Sequence, residues 1–197
     1  MTKQRMLLLF AAAGLILAAV IGIAVYQSHL SPSEEEITAV LTEFIGQLAS
    51  GDMKRARDML TEETRPLLRD PGTVLGKTVY RNLSLKSVDN IGEEGDDVFT
   101  ADMILTAPDT LKIMATAGVL FAERTEETVP AEGADRLMEA IYTEILSRKD
   151  LPMLDQFCTV RLELRNGRLL INADEALQRA LEGDSLSNSD LLQKIGQ

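Results

Sequence analysis

The stretch Asn166–Leu186, NGRLLINADEALQRALEGDSL, decides how the chain is read. Asn166-Gly167 is a two-residue turn signal: a tight antiparallel turn needs positive φ at both central positions, and Asn and Gly tolerate it. Upstream, Cys158, Val160, Leu162 and Leu164 alternate with Thr159, Arg161, Glu163 and Arg165, the period of a half-buried strand. Downstream, Arg168–Ile171 pairs back. Asn172 caps a helix, with Glu175 three residues on to complete the cap. Ala176, Leu177, Ala180 and Leu181 form that helix's apolar stripe, and Gly183 is its stop. The stretch ends on Gly183-Asp184-Ser185-Leu186, letters shared with a class of lipases and esterases. A nucleophilic serine needs a base. No His follows Ser185, and the single His, His29, lies far upstream beside an apolar run. The stretch therefore reads as a hairpin and helix of a scaffold, followed by a polar tail over 184–197.

Working outward, the same periodicities organise the rest. Ser33-Glu34-Glu35-Glu36 is a capping box with an acidic first turn, which suits the helix dipole. Ile37, Val40, Leu41, Phe44, Ile45 and Leu48 follow on one helical face. Gly51 ends that helix and Asp52 caps a short second one, with Met53, Ala56, Met59 and Leu60 inward. Pro66, Pro71, Gly72 and Gly76 mark a looped region with room for one more helical turn. The period changes to two near Val79, and the pattern predicts strands over 79–88, over Phe99–Ala107 and over Leu111–Phe121, with Gly92–Asp97 as a polar hairpin loop. Ala134, Leu137, Met138, Ile141, Tyr142, Ile145 and Leu146 then share the face of another helix. Helices, then strands, then a helix, a hairpin and a last helix make an α+β domain: one curved antiparallel sheet with helices packed on one face.

The segment before that domain differs in kind. Met6–Tyr26 is 21 residues without a charge, long enough as a helix to cross the roughly 30 Å hydrocarbon core of a bilayer. Lys3 and Arg5 precede it and no Lys or Arg follows until Lys54. Positive charge stays inside, so residues 1–5 are expected in the cytoplasm, 6–26 as a signal anchor in the cell membrane, 27–33 as a connector and 34–183 as an extracytoplasmic domain. The run exceeds the about 7–15 residues of a signal-peptide core, which favours a retained anchor over cleavage at Gly22-Ile23-Ala24. With Lys3 and Arg5 inside, 18 basic residues face 31 acidic ones outside, a net charge of −13. Such a surface repels nucleic acid, which is excluded as a partner. The bilayer itself is a partner through Met6–Tyr26. One cysteine allows no intrachain disulfide, so the domain must rest on its core, and 45% apolar residues supply one.

Two groups of residues carry a family resemblance. Phe44, Leu48, Gly51, Asp52, Ala56, Met59 and Leu60 set a rhythm that resembles the start of NTF2-like (cystatin-like cone) domains. Leu164, Asn166, Gly167, Leu169, Ile171, Ala173, Asp174, Ala176, Leu177, Ala180, Leu181 and Gly183 are similar to the ends of NTF2-like extracytoplasmic proteins and lipoproteins of Gram-positive, especially clostridial, bacteria. Those lipoproteins carry a lipid-bearing Cys after the apolar run, and this chain does not. The resemblance implies a sheet bent around helices into a cone. Some members bind or transform a small apolar molecule there, as ketosteroid isomerases and dehydratases do. Others dimerise or assemble through the sheet, and single-span relatives serve as scaffolds in secretion and conjugation machines. Fold alone does not choose among these.

Candidate chemistry is sparse. Cys158 shares the face of Val160 and Leu162, the place of a small buried hydrophobe. Glu93, Glu94, Asp96 and Asp97 lack the spacing of a calcium loop and read as solvated charges. Tyr80, Asp102 and Tyr142 are the pocket candidates, with Asp102 expected to face away from the core. No catalytic residue, cofactor site or metal site is assigned. The expectation is a non-catalytic envelope domain that binds a protein partner, itself as a homodimer, or a small ligand.

Overall fold

The computed structural model describes residues 31–125 and 131–182. Among them, four strands form one antiparallel sheet in the order β1-β2-β3-β4: β1 Ser84–Gly95, β2 Val98–Pro108, β3 Met153–Arg165 and β4 Arg168–Asn172. The fold is α+β, with a four-stranded antiparallel sheet whose inner face is covered by helices. The expected membrane span, His29 and the Gly183-Asp184-Ser185-Leu186 segment lie outside the described residues. Among those that are described, no helix is long and apolar enough to cross a membrane.

Helix α1, Glu34–Ser50, begins at the capping box. The Ser33 hydroxyl accepts from the Glu36 amide at 3.2 Å, and Glu36 accepts from the Ser33 amide at 2.8 Å. It stops at Gly51, whose φ of +82° suits a residue without Cβ. Asp52 caps α2, Met53–Asp58, through the Arg55 amide. The chain then runs beside the sheet edge. The Thr61 amide donates to the Ile171 carbonyl and the Ile171 amide to that of Met59, both at 2.9 Å. This short parallel pairing protects part of the outer edge of β4.

The first inner layer is α1. Ile37, Leu41, Phe44 and Leu48 meet Met103 and Leu105 of β2, Leu162 of β3 and Ile171 of β4, all essentially without solvent exposure. Leu177 of the last described helix, α6 (Glu175–Leu181), completes this core. The interior between helix and sheet is thus filled with side chains. A second, smaller core joins α4, Thr110–Arg124, to α5, Ala131–Leu146, through Ile113, Ala117, Ile141 and Ile145. This helix pair connects β2 to β3. Its base is closed by the Asp109 amide, which donates to the Pro152 carbonyl at 2.8 Å. Helix α3, Val74–Arg81, reaches both cores, with Tyr80 in the first and Leu75 against the second.

Four local expectations are corrected. Leu111–Phe121 is helical, although its apolar residues alternate. Ile113, Ala117, Leu120 and Phe121 lie at helical spacing and face the second core, while Leu111 and Val119, which made the alternation, are 56% and 58% exposed. Asp109 settles the competition locally, its carboxylate accepting from the Lys112 amide at 3.0 Å. The strand expected over 79–88 starts only at Ser84, because Thr73 caps α3 through the Gly76 amide and Leu75 and Val79 sit one turn apart. The loop expected over Gly92–Asp97 shrinks to Asp96-Asp97, since β1 continues to Gly95. Finally, Asp174 and not Asn172 caps α6, accepting from the Leu177 amide at 2.8 Å. Asn172 ends β4, and its side-chain amide donates to Glu163.

Candidate functional site: the uncovered face of the sheet

Alternation along β2 sends Phe99, Ala101, Met103, Leu105 and Ala107 inward and Thr100, Asp102, Ile104 and Thr106 outward. On β3 the inward set is Cys158, Val160 and Leu162, so Asp155, Phe157, Thr159 and Arg161 face out. Register then builds rungs across the outer face: Thr106 opposite Asp155, Ile104 opposite Phe157, Asp102 opposite Thr159 and Thr100 opposite Arg161. No described helix covers them.

The polar rungs are completed from β1, by residues at its irregularities. The β1–β2 register slips between Leu85 and Ser87 and again between Asp89 and Gly92. The residues skipped include Lys86 and Asn90, the latter at φ +49°. A bulge redirects a side chain, and these two reach the two outer carboxylates. Lys86 pairs with Asp155, which also accepts from the Thr106 hydroxyl at 2.8 Å. Asn90 donates to Asp102 at 2.9 Å and the Thr159 hydroxyl donates to it at 2.7 Å. The bonds from Thr159 and Asn90 hold the Asp102 carboxyl below the usual carboxylate range. Those from Lys86 and Thr106 do the same for Asp155.

Between the two completed rungs sits an apolar one. Phe157 is 66% exposed, the most exposed of the large apolar side chains in the described residues, and its partner Ile104 is half-buried. Further along, Arg161 pairs with Glu94 at 3.7 Å and Arg165 with Glu163 at 2.6 Å. Burial pulls the Glu163 carboxyl upward, but bonds from Arg165 and Asn172 outweigh it and hold it low. The face therefore pairs much of its charge internally, unlike the strongly acidic chain as a whole.

The pocket candidates are not brought together. Tyr80 lies at the rim of the first core, 5% exposed, with burial pushing its phenol up to about 12. Asp102 is on the outer face, pointing away from the core as expected. Tyr142 packs half-buried against the second core and lines a groove beside Asp135 and Glu139. Cys158 is buried beneath the sheet, its thiol pushed up to about 12 by burial and by Asp174 and Asp102; a thiol in that state is a poor nucleophile. Among the described residues no group of three or more His, Cys, Asp or Glu could hold a metal.

Phe157 was legible only as a parity: one residue before Cys158, it falls on the polar phase of the strand. No sequence signal marks the face as uncovered, and none marks Lys86 and Asn90 as bulge residues. Comparison with protein-family models, curated proteins and solved structures gave no match.

Proposed function

We propose that the chain is a single-span membrane protein, anchored through Met6–Tyr26, whose extracytoplasmic NTF2-like domain acts by binding a protein at the bacterial cell envelope and not by catalysis. The observation that carries this reading is the uncovered rung of Phe157 and Ile104. An exposed aromatic ringed by polar groups already satisfied at home is the pattern of an interface anchor: a partner gains the apolar area without stripping water from unpaired charges. Internal pairing of Lys86, Arg161 and Arg165 also lowers the charge of this face locally, so a second copy of the chain meets less repulsion there than over the rest of a −13 surface.

A filled interior supports the non-catalytic half of the reading. A ketosteroid-isomerase-like or dehydratase-like pocket needs converging polar groups in an open cone, and Phe44, Met103, Leu105 and Leu162 occupy that space. The NTF2-like assignment itself draws on the sequence resemblance and on the antiparallel sheet with helices on one face.

The test is photo-crosslinking in native membranes with a benzophenone amino acid at position 157, and at exposed Lys54 as the control site. The proposal expects a discrete adduct at 157 only. An adduct of twice the chain mass identifies a second copy, and any other mass a different protein. Equal labelling at both positions, or only lipid adducts at 157, refutes it.

A further inference from the structure

On the far side of the domain from Phe157's face, the end of α1, the start of α2 and one face of α3 enclose a cleft of about 420 Å³, within the size range of small-molecule sites. Leu48, Met53 and the ring of Tyr80 line it with apolar surface, and Lys77 and Arg81 stand in its wall one helical turn apart. The Asp70-Pro71 segment also lines it. Arg57 fastens that segment, its guanidinium donating to the Leu68 carbonyl at 3.1 and 3.3 Å and pairing with Asp70 at 3.0 Å. Asp70 is thereby spoken for. Among the described residues neither Lys77 nor Arg81 has an ion-pair partner.

Tyr80 closes one side of the cleft. The residue is 5% exposed, but its hydroxyl is not among the fully enclosed unpaired polar atoms of the described residues and so reaches solvent. Burial, with the negative charges of Glu182 and Asp70, raises its pKa to about 12, and the ring beside the cleft makes a reporter of what enters.

We propose that this cleft binds a small amphipathic anion, its carboxylate or phosphate head held by Lys77 and Arg81, and its apolar body laid on Leu48, Met53 and the Tyr80 ring. Two adjacent cations on a chain of net charge −11 make a local attraction on a surface that elsewhere repels anions. Charge-assisted bonds in a partly dry cleft then fix the head group. The site is independent of the sheet-face reading, since none of its residues lies on that face.

The test uses the full-length chain in nanodiscs, labelled with 3-fluorotyrosine and followed by ¹⁹F NMR. Of the three tyrosines, Tyr80 is assigned by Tyr80→Phe. The probes are 2-naphthoate and 2-naphthyl phosphate, with uncharged 2-naphthalenemethanol as control. The proposal expects a saturable shift of the Tyr80 resonance with at least one anion, weakened at least tenfold in Lys77→Ala/Arg81→Ala, the tighter probe naming the head group. Both substitutions are on exposed residues, and an unchanged Tyr142 resonance certifies the fold. Equal affinity for the uncharged control, undiminished binding in the double variant, or no saturable shift with either anion overturns it.

Discussion

Phe44→Ala tests whether the interior is closed. Phe44 is fully buried in the first core, facing the sheet between Leu41 and Leu48 of its own helix. Removing its ring loses the transfer free energy of the aromatic group and leaves a cavity among Met103, Leu105 and Leu162. Substitutions of this kind cost about 3–5 kcal/mol, against a total stability for a domain this size of about 5–15 kcal/mol. With a urea dependence of about 2 kcal/mol per molar, the denaturation midpoint should fall by about 2 M. The chain has no Trp, so unfolding is followed by far-ultraviolet circular dichroism on residues 27–197. A parallel titration with benzene should raise the variant's midpoint and leave the parent's unchanged, since a tightly packed interior has no room for a guest. A midpoint shift below about 0.3 M would refute the reasoning. It would mean the space already contained slack, and a cone open enough to hold a substrate would return as the better description.

Other outcomes follow from the same packing. Cys158 should resist iodoacetamide at pH 8 in the folded domain and react at once in urea, since its thiol is buried and raised to about 12; mass spectrometry showing native labelling at a free-thiol rate contradicts this. Asp102 and Asp155 are held below the ordinary carboxylate value in the folded state. Their contribution is thus present above the unfolded value of about 3.9 and lost as pH falls through the folded one. Stability should drop below about pH 4, and Asp102→Asn/Asp155→Asn should flatten that drop in urea titrations at pH 7 and pH 3; an unaltered slope argues against the paired rungs. Gly167→Ala places a Cβ at φ +72°, where an L-residue is strained by about 1–2 kcal/mol, so the thermal midpoint should fall by a few degrees; an unchanged midpoint would show that the turn relaxes.

Sequence patterns are trustworthy here where the deciding forces are local. Ser33 and Glu36 satisfy each other within one turn. Asn166 and Gly167 adopt positive φ of 53° and 72° because the turn demands it. Ile37 to Leu48 marks a helix because helical spacing repeats over about three turns. Leu111–Phe121 shows the limit. Its residues satisfy both a period of two and a helical stripe, and a cap at Asp109 together with a second core, built partly by Ile141 and Ile145 some 20 positions away, selects the helix.

Which side of a strand each residue faces could be read from parity, and parity placed Cys158 inside and Asp102 outside. Whether a face is then covered could not, because cover is supplied by elements distant in the chain. The helices that pack on the sheet, α1, α3 and α6 among them, lie on its inner side, so Phe157 stands in solvent while Cys158, one residue on, is sealed. Only tertiary packing decided that difference, because burial depends on where other segments come to rest and a strand's own alternation carries no record of them.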